Sequence, residues 1–291
     1  MTKLIRTLSQ QEQINFLLTN RVPRRLLTQW MGWFSRIENR WLTKVSIFIW
    51  RLFADDLDLS EAKHTGYRSL RDCFIRELKP GSRVVDASAN TVSSPCDAIV
   101  GACGNIEGTT VYQAKGFPYE LRDLIPEQYI REKYRDGVFV TLRLKSSMYH
   151  RFHAPLDCHI RKINYISGDT WNVNPVTLKR VEKLFCKNER AVLDLGIDQE
   201  GYAMCLVPVA AILVASMKFE CLDEDLDLQY QGPNHIACNA NYKKGDEMGY
   251  FQHGSTIIVF ANKGFSLCEH LKTGDPIKMG EPLMMIKDLV N

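Results

Sequence analysis

A serine preceded by a glycine stands just before a predicted strand near the C-terminus. Gly254 and Ser255 follow a polar, glycine-bearing segment, 243–250, and precede the apolar run 257–260. Glycine allows unusual backbone geometry, so the Ser255 hydroxyl can attack the carbonyl carbon of the residue before it. The expected chemistry is cleavage of the chain between these two residues. Gly-Ser pairs are also common in turns, as at 81–82, so this interpretation needs supporting groups elsewhere.

Two histidines and a carboxylate can supply those groups. Asp97 lies in a proline-bounded turn, 94–98, and His150 and His153 are three residues apart in the segment 149–155. A turn at this spacing directs both imidazoles into one pocket, whereas an extended strand directs them to opposite faces. Aspartate, histidine and serine together form an activated nucleophile. The same side chains also suit zinc, and Asp97 alone could cap a turn, so these alternatives stay open at this point.

The first 51 residues are basic and carry most of the tryptophan. They contain nine Lys and Arg against two Glu, a net charge of +7, which leaves −4 for the rest of a chain whose total is +3. Four of the five tryptophans are Trp30, Trp33, Trp41 and Trp50. Tryptophan among basic residues suits a surface that meets anionic lipid headgroups. The charge also fits nucleic acid, but no nucleic-acid motif accompanies it, so we expect no nucleic-acid partner.

Periodicity separates the chain into a helical and a β-rich part. Apolar residues recur every three or four positions between about 11 and 59, which predicts amphipathic helices. A short helix is predicted over 69–78, ended by Lys79-Pro80-Gly81. Short apolar runs then predict strands, among them 138–142, 159–163, 191–193 and core strands within 206–217. The expected fold is α+β, with N-terminal helices followed by a β-rich, barrel- or sandwich-like catalytic body.

Composition also predicts a location. The longest uncharged stretch, 201–217, is short for a bilayer span and contains a proline. The nine cysteines include no Cys-x-x-Cys pair, which favours reduced thiols in a cytoplasmic setting. No secretory signal is recognised. We therefore expect a peripheral protein on the cytoplasmic face of the cell membrane.

Three motifs follow one another along the chain: Pro95-x-Asp97, Tyr149-His150-Arg151-x-His153-x-Pro155 and Gly254-Ser255-Thr256. In this order they resemble the prokaryotic-type phosphatidylserine decarboxylase family of pyruvoyl-dependent membrane enzymes. The segments 74–81, 113–121 and 184–190 add to the resemblance, which runs from about residue 25 to the C-terminus. The chain departs from the family at His253, where an aliphatic residue is more common.

The resemblance implies a pyruvoyl cofactor that the chain makes from its own Ser255. Cleavage after Gly254 gives a large chain, 1–254, and a small chain, 255–291, which begins with the pyruvoyl group. The expected domains are accordingly a helical membrane-associating region, residues 1–60, and a catalytic domain, residues 61–291, that contains the cleavage site.

The resemblance also implies roles for the candidate residues. Asp97 would hold His153, which would deprotonate Ser255. His150 would return a proton to the substrate, although the sequence allows the two histidines to exchange or share these roles.

The implied reaction converts phosphatidylserine to phosphatidylethanolamine through a Schiff base with the pyruvoyl group. The expected partners are phosphatidylserine, an anionic membrane surface, the two chains of one precursor and a second copy in a homodimer; no metal is expected. Three alternatives remain: a metal-dependent hydrolase, a membrane-binding module without activity, and a pyruvoyl enzyme for a soluble amino acid. The basic, tryptophan-rich N-terminus and the order of the motifs favour the phospholipid enzyme.

Overall fold

The computed structural model describes residues 16, 22–54, 56–112, 117–213, 216–252 and 255–287. Outside the described residues lie the predicted cleavage residue Gly254 and its neighbour His253. Residues 113–116 of the segment 113–121 lie outside them too. So do nearly all residues of the predicted helical region before residue 22.

Two amphipathic helices precede the body, α1 (Arg24–Ser35) and α2 (Arg40–Phe53). They confirm the predicted helical region over its described part, with a break between them. The break ends at Asn39, whose side chain accepts hydrogen bonds from the backbone N–H groups of Trp41 and Leu42. An asparagine in this position satisfies donors that have no partner within the helix and so fixes where α2 begins. No helix among the described residues is long and apolar enough to span a bilayer.

Polar side chains attach α1 to the body. The Arg24 guanidinium donates to the Asp169 carboxylate, with Nε 3.2 Å from Oδ1, and lies 3.8 Å over the Trp171 ring. The buried Thr28 hydroxyl accepts a hydrogen bond from the Leu213 backbone N–H at 3.0 Å. These contacts fix the helix on the body because each joins residues more than 140 positions apart.

The other described helices are short. They are α3 (Leu70–Phe74), α4 (Leu121–Leu124), α5 (Gln128–Arg131), α6 (Pro175–Leu178) and α7 (Leu184–Lys187), with a 3₁₀ turn at Glu132–Tyr134. The helix predicted over 69–78 is shorter than expected: Ser69 caps its start, and it ends before Ile75. Its predicted second half instead forms a β-bridge, Leu78 with Ala62. Long-range pairing thus overrides the helical pattern there.

The body is made of strands. In chain order they are β1 (Thr91–Ser93), β2 (Ala98–Asn105), β3 (Thr110–Tyr112), β4 (Pro118–Glu120), β5 (Val138–Leu144), β6 (Arg151–His153), β7 (Cys158–Ile166), β8 (Arg190–Leu195), β9 (Met204–Val209), β10 (Met217–Phe219), β11 (His235–Tyr242), β12 (Glu247–Phe251), β13 (Ser255–Ala261), β14 (Phe265–Leu267), β15 (Pro276–Ile277) and β16 (Pro282–Ile286). The strands predicted from the sequence are all among them.

Eight strands form an antiparallel sheet in the order β11-β7-β8-β9-β13-β5-β2-β15. The remaining described strands form sheets in the orders β1-β16-β14, β10-β12-β6 and β3-β4. The α+β class is therefore confirmed, while the large sheet stays open and no described set of strands closes a barrel. β13 pairs with β5 on one side and β9 on the other, and all its residues are buried.

Two long segments of the chain run antiparallel across two sheets. In the large sheet β5 pairs with β13, with Leu144 opposite Ser255; in the sheet β10-β12-β6, β6 pairs with β12, with His153 opposite Glu247. Among the described residues, the antiparallel pairing of these two segments has a gap between β5 and β6 on one side and between β12 and β13 on the other. We call this gap the interruption. The candidate serine and histidines lie at and beside this interruption.

Candidate active site

Ser255 is the first residue of β13, at the mouth of a strand as predicted. It is completely buried, and its hydroxyl makes no hydrogen bond with any described residue. A buried polar group without a partner costs about 1–3 kcal/mol, and such groups are rare in folded proteins. Among the described residues, the Ser255 hydroxyl shares this state with a few other buried hydroxyls, including that of the next residue, Thr256.

His150 is bound to both sides of the interruption. Its backbone carbonyl accepts from the Phe251 N–H at 3.0 Å, four residues before Ser255. Its ring Nε2 donates to the Ser146 carbonyl at 3.2 Å, and Ser146 lies two residues beyond Leu144, the strand partner of Ser255. In the neutral ring this leaves Nδ1 as the nitrogen with the lone pair. These contacts tie His150 to the end of β12 and to a residue close to the strand partner of Ser255.

An aromatic stack connects His150 to the N-terminal helices. The Phe74 ring stacks on the His150 ring with centroids 4.2 Å apart, and the Trp50 ring of α2 stacks on Phe74 at 5.2 Å. Sequence reasoning did not place these aromatic residues at the site, because they are remote from His150 in the chain. The only signal was Phe74 at the start of the segment 74–81, which carries part of the family resemblance.

His153 is a buried, neutral imidazole. Only 7% of its surface is exposed, and burial lowers its pKa below the ordinary value, an effect that its hydrogen bond with Gly245 opposes. Nδ1 donates to the Gly245 carbonyl at 2.9 Å, so Nε2 is the acceptor and receives the Tyr149 hydroxyl at 3.0 Å. This tautomer and charge state are those that a general base requires.

Asp97 does not make the contact with His153 that the resemblance implied. Its carboxylate accepts from Arg83 Nε at 2.8 Å and from the Met279 N–H at 2.9 Å, and the ring nitrogens of His153 bind other groups. The physical reason is that the Arg83 side chain is almost fully buried and a buried guanidinium requires a carboxylate. Gly245 therefore orients His153 in this structure.

Asp97 is nonetheless close to His153 through the backbone. The His153 N–H donates to the Pro95 carbonyl at 2.7 Å, within the same turn as Asp97. The negative charge of Asp97 offsets part of the fall in the His153 pKa that burial causes. The turn, β6 and both histidines thus form one cluster.

The zinc alternative finds no support in this geometry. Within the described ranges, no three His, Cys, Asp or Glu side chains converge as metal ligands. All nine cysteines are described and none forms a disulfide.

Two adjoining cavities lie beside the interruption. One, of about 610 Å³, has a mixed lining: charged and amide side chains that include Arg143, Lys145 and Asn172, together with apolar residues such as Leu144. The other, of about 410 Å³, is almost wholly apolar and is lined mainly by residues of α1, α2 and α3: Met31, Phe34, Ile49, Trp50, Leu70 and Phe74. Phe53, Ser146 and Leu213 belong to both. A cavity of mixed polarity, lined by the strand partner of Ser255, therefore continues into an apolar space between the helices.

A buried serine, two buried histidines and adjoining cavities are features expected of an enzyme active site. Comparison with known proteins identifies its class. Residues 70–285 match the model of the phosphatidylserine decarboxylase family. The chain is 33% identical to the phosphatidylserine decarboxylase proenzyme of Haemophilus influenzae over 277 residues, 90% of this chain and 92% of the relative. It is 34% identical to that of Aliivibrio salmonicida, over 91% and 95% of the two chains, and 31% identical to that of Idiomarina loihiensis, over 97% and 99%.

The chain belongs to the phosphatidylserine decarboxylase family. It is a carboxy-lyase, as the motifs predicted, and family membership supports phosphatidylserine decarboxylation as its reaction.

The burial of His153 predicts a specific pH dependence of stability. Its pKa in the folded protein lies below 6.5, the value of an exposed histidine, so below that pH the unfolded chain binds a proton that the folded chain resists. The contribution of His153 to the free energy of unfolding is therefore at its maximum above pH 6.5. It is lost as the pH falls towards the lower pKa of the folded protein. Urea unfolding of uncleaved Ser255→Ala at about pH 7.5 and about pH 5.5 should show the loss, and adding His153→Gln should reduce it. The exposed His64→Gln is the control; an unchanged pH dependence in His153→Gln would contradict the assignment.

Proposed function

We propose that this chain is a precursor that cleaves itself between Gly254 and Ser255 and then converts phosphatidylserine to phosphatidylethanolamine with the pyruvoyl group so formed. The observation that carries the proposal is the buried Ser255 hydroxyl, without a hydrogen-bond partner among the described residues, at the first position of a central strand. The relatives' designation as proenzymes is consistent with a processed chain.

Cleavage begins when the Ser255 hydroxyl attacks the Gly254 carbonyl carbon and replaces the peptide bond with an ester. His153 takes the hydroxyl proton, a role that its neutral state and acceptor Nε2 support. Tyr149 occupies that nitrogen in the precursor, so its hydroxyl must move aside or relay the proton. Elimination across the Cα–Cβ bond of Ser255 releases the large chain. The dehydroalanine that remains hydrolyses to a pyruvoyl group and ammonia.

The residues around Ser255 fit a pyruvoyl group, because the hydroxyl-bearing carbon is fully buried and its strand partner Leu144 lines a cavity. Such a group supplies an electron sink for the electrons left when carbon dioxide departs. His150 is the candidate that returns a proton to the substrate carbon. Its contacts with Ser146 and Phe251 hold it beside the start of β13, and the Phe74 ring on its face restricts its orientation.

The two cavities support a phospholipid over a soluble amino acid. The charged groups that line the cavity at the end of β5 suit a headgroup, and the adjoining apolar space suits acyl chains. A free amino acid has no part that would occupy the apolar space.

The outer faces of α1 and α2 support peripheral membrane binding. They expose large apolar side chains at Leu26, Trp30, Trp33, Trp41, Phe48, Ile49, Leu52 and Phe53. Exposed tryptophan on basic amphipathic helices is typical of proteins that lie at a lipid interface. We extend the proposal to an anionic surface on the cytoplasmic face of the cell membrane, where free cysteines persist, and to a homodimer, which rests on the resemblance alone.

Histidine variants should separate the two reactions. His153→Gln should slow cleavage by about 10²–10⁴-fold, the usual contribution of a general base, so that full-length chain accumulates on denaturing gels. His150→Gln should cleave but lose decarboxylation, measured as released carbon dioxide, by a similar factor. His64→Gln, which changes an exposed histidine, should do neither. Loss of cleavage in His150→Gln with normal cleavage in His153→Gln would reverse the assigned roles.

Aromatic variants should test the membrane surface. Trp41, 73% exposed on α2, and Trp33, 64% exposed on α1, should each insert into the interface. The double change Trp33→Ala with Trp41→Ala should weaken flotation with phosphatidylserine-containing vesicles about tenfold or more. Tyr129→Ala removes a comparably exposed aromatic ring from the body and should leave flotation unchanged. Equal flotation of all three proteins would contradict membrane binding through these helices.

A further inference from the structure

The fold holds a cation whose partner is not among the described residues. Arg143 lies on β5 between two buried leucines, opposite Thr256 of β13. Its side chain is largely withdrawn from water, and this burial lowers its pKa, although a guanidinium stays charged at any physiological pH. Within the described chain its guanidinium makes no hydrogen bond and no ion pair. Removing a cation from water without an opposite charge is unfavourable, so an anion from outside the chain would stabilise it.

The cavity beside Arg143 has room for that anion. It is the cavity of about 610 Å³, and Arg143 is the charged side chain of its lining that lacks a partner among the described residues. The second cation on its wall, Lys145, already binds Asp56, with Nζ 2.9 Å from the carboxylate. Adjacent residues of a strand point to opposite faces, yet 143, 144 and 145 all line this space because it surrounds the end of β5. The uncompensated charge in the cavity is therefore that of Arg143.

The register places this charge next to the reacting centre. Arg143 pairs with Thr256, the residue that follows Ser255, and paired residues of neighbouring strands are about 5 Å apart. In a serine phospholipid the amine and the phosphodiester are separated by only a few bonds. A headgroup whose amine reaches position 255 therefore has its phosphodiester near the end of β5.

We propose that Arg143 binds the phosphodiester of the substrate headgroup and thereby selects phosphorylated serine lipids over other serine derivatives. This inference rests on the proposed function, because it names the headgroup contact of the same site. A planar guanidinium can donate two parallel hydrogen bonds to a phosphodiester, and such charge-assisted pairs are strong and geometrically specific.

The reaction itself favours the phosphodiester over the carboxylate as the anion bound. The carboxylate charge leaves as carbon dioxide, so a guanidinium that held it would stabilise the substrate more than the transition state and slow the reaction. The phosphodiester keeps its charge throughout. Binding it positions the headgroup without opposing the chemistry.

The test pairs two substrates with three variants. Phosphatidylserine in mixed micelles is compared with an O-alkylserine, which has the amine and carboxylate but no phosphodiester. Arg143→Gln should lower kcat/KM for phosphatidylserine about 10- to 100-fold and leave that for O-alkylserine unchanged. Arg143→Lys should recover part of the loss, because lysine keeps the positive charge but cannot donate the two parallel hydrogen bonds of a guanidinium. Arg161→Gln, the same change at an exposed position of β7, should leave both substrates unaffected.

A binding measurement keeps the test independent of turnover. Calorimetry with glycerophosphoserine and uncleaved Ser255→Ala should show a dissociation constant that Arg143→Gln raises about 10- to 100-fold. Equal losses on both substrates would show a merely structural role, and unchanged binding and kcat/KM in Arg143→Gln would likewise overturn the inference. Failure of the proposed function appears differently, as a wild-type chain that neither cleaves nor releases carbon dioxide, and the calorimetry would still decide whether Arg143 binds the phosphodiester.

Discussion

The structure depends on the pairing of β13 between β5 and β9. Because every residue of β13 is buried, the first position of the strand is removed from water together with its serine hydroxyl. The ladder is interrupted at that end, where the chain passes from the large sheet to the sheet β10-β12-β6, and the interruption brings His150 to the same place.

The N-terminal helices are part of the site as well as its surroundings. Trp50 of α2 stacks on Phe74, which stacks on His150, and the apolar cavity is lined by the same helices. Their outer faces are apolar too. One pair of helices therefore exposes apolar side chains on its outer face and, through Trp50 and Phe74, contacts His150 on the other.

Local signals in the sequence were sufficient for some features and not for others. Periodicity predicted the helices and the strand that begins at Ser255, because a central strand is a continuous apolar run. The expected contact of Asp97 with His153 was wrong because Arg83, fourteen residues from Asp97, binds the carboxylate instead. An ion pair between two loops gives no periodic pattern in the sequence, so it could not be predicted. Arg143 was not singled out, since one arginine among leucines is typical of a strand with a solvent-facing side. Only the sheet order shows that its strand is central, paired with β13 on one edge and β2 on the other.

The measurement that tests the central claim most directly is the intact mass of the small chain under denaturing conditions, beside Ser255→Ala. The account predicts a fragment of about 4 kDa in the wild type alone, lighter than unmodified 255–291 by about 17 Da because a pyruvoyl group replaces serine with loss of ammonia. A fragment with the unmodified serine mass would show cleavage without formation of the cofactor. A single uncut chain in both proteins would contradict the account as a whole.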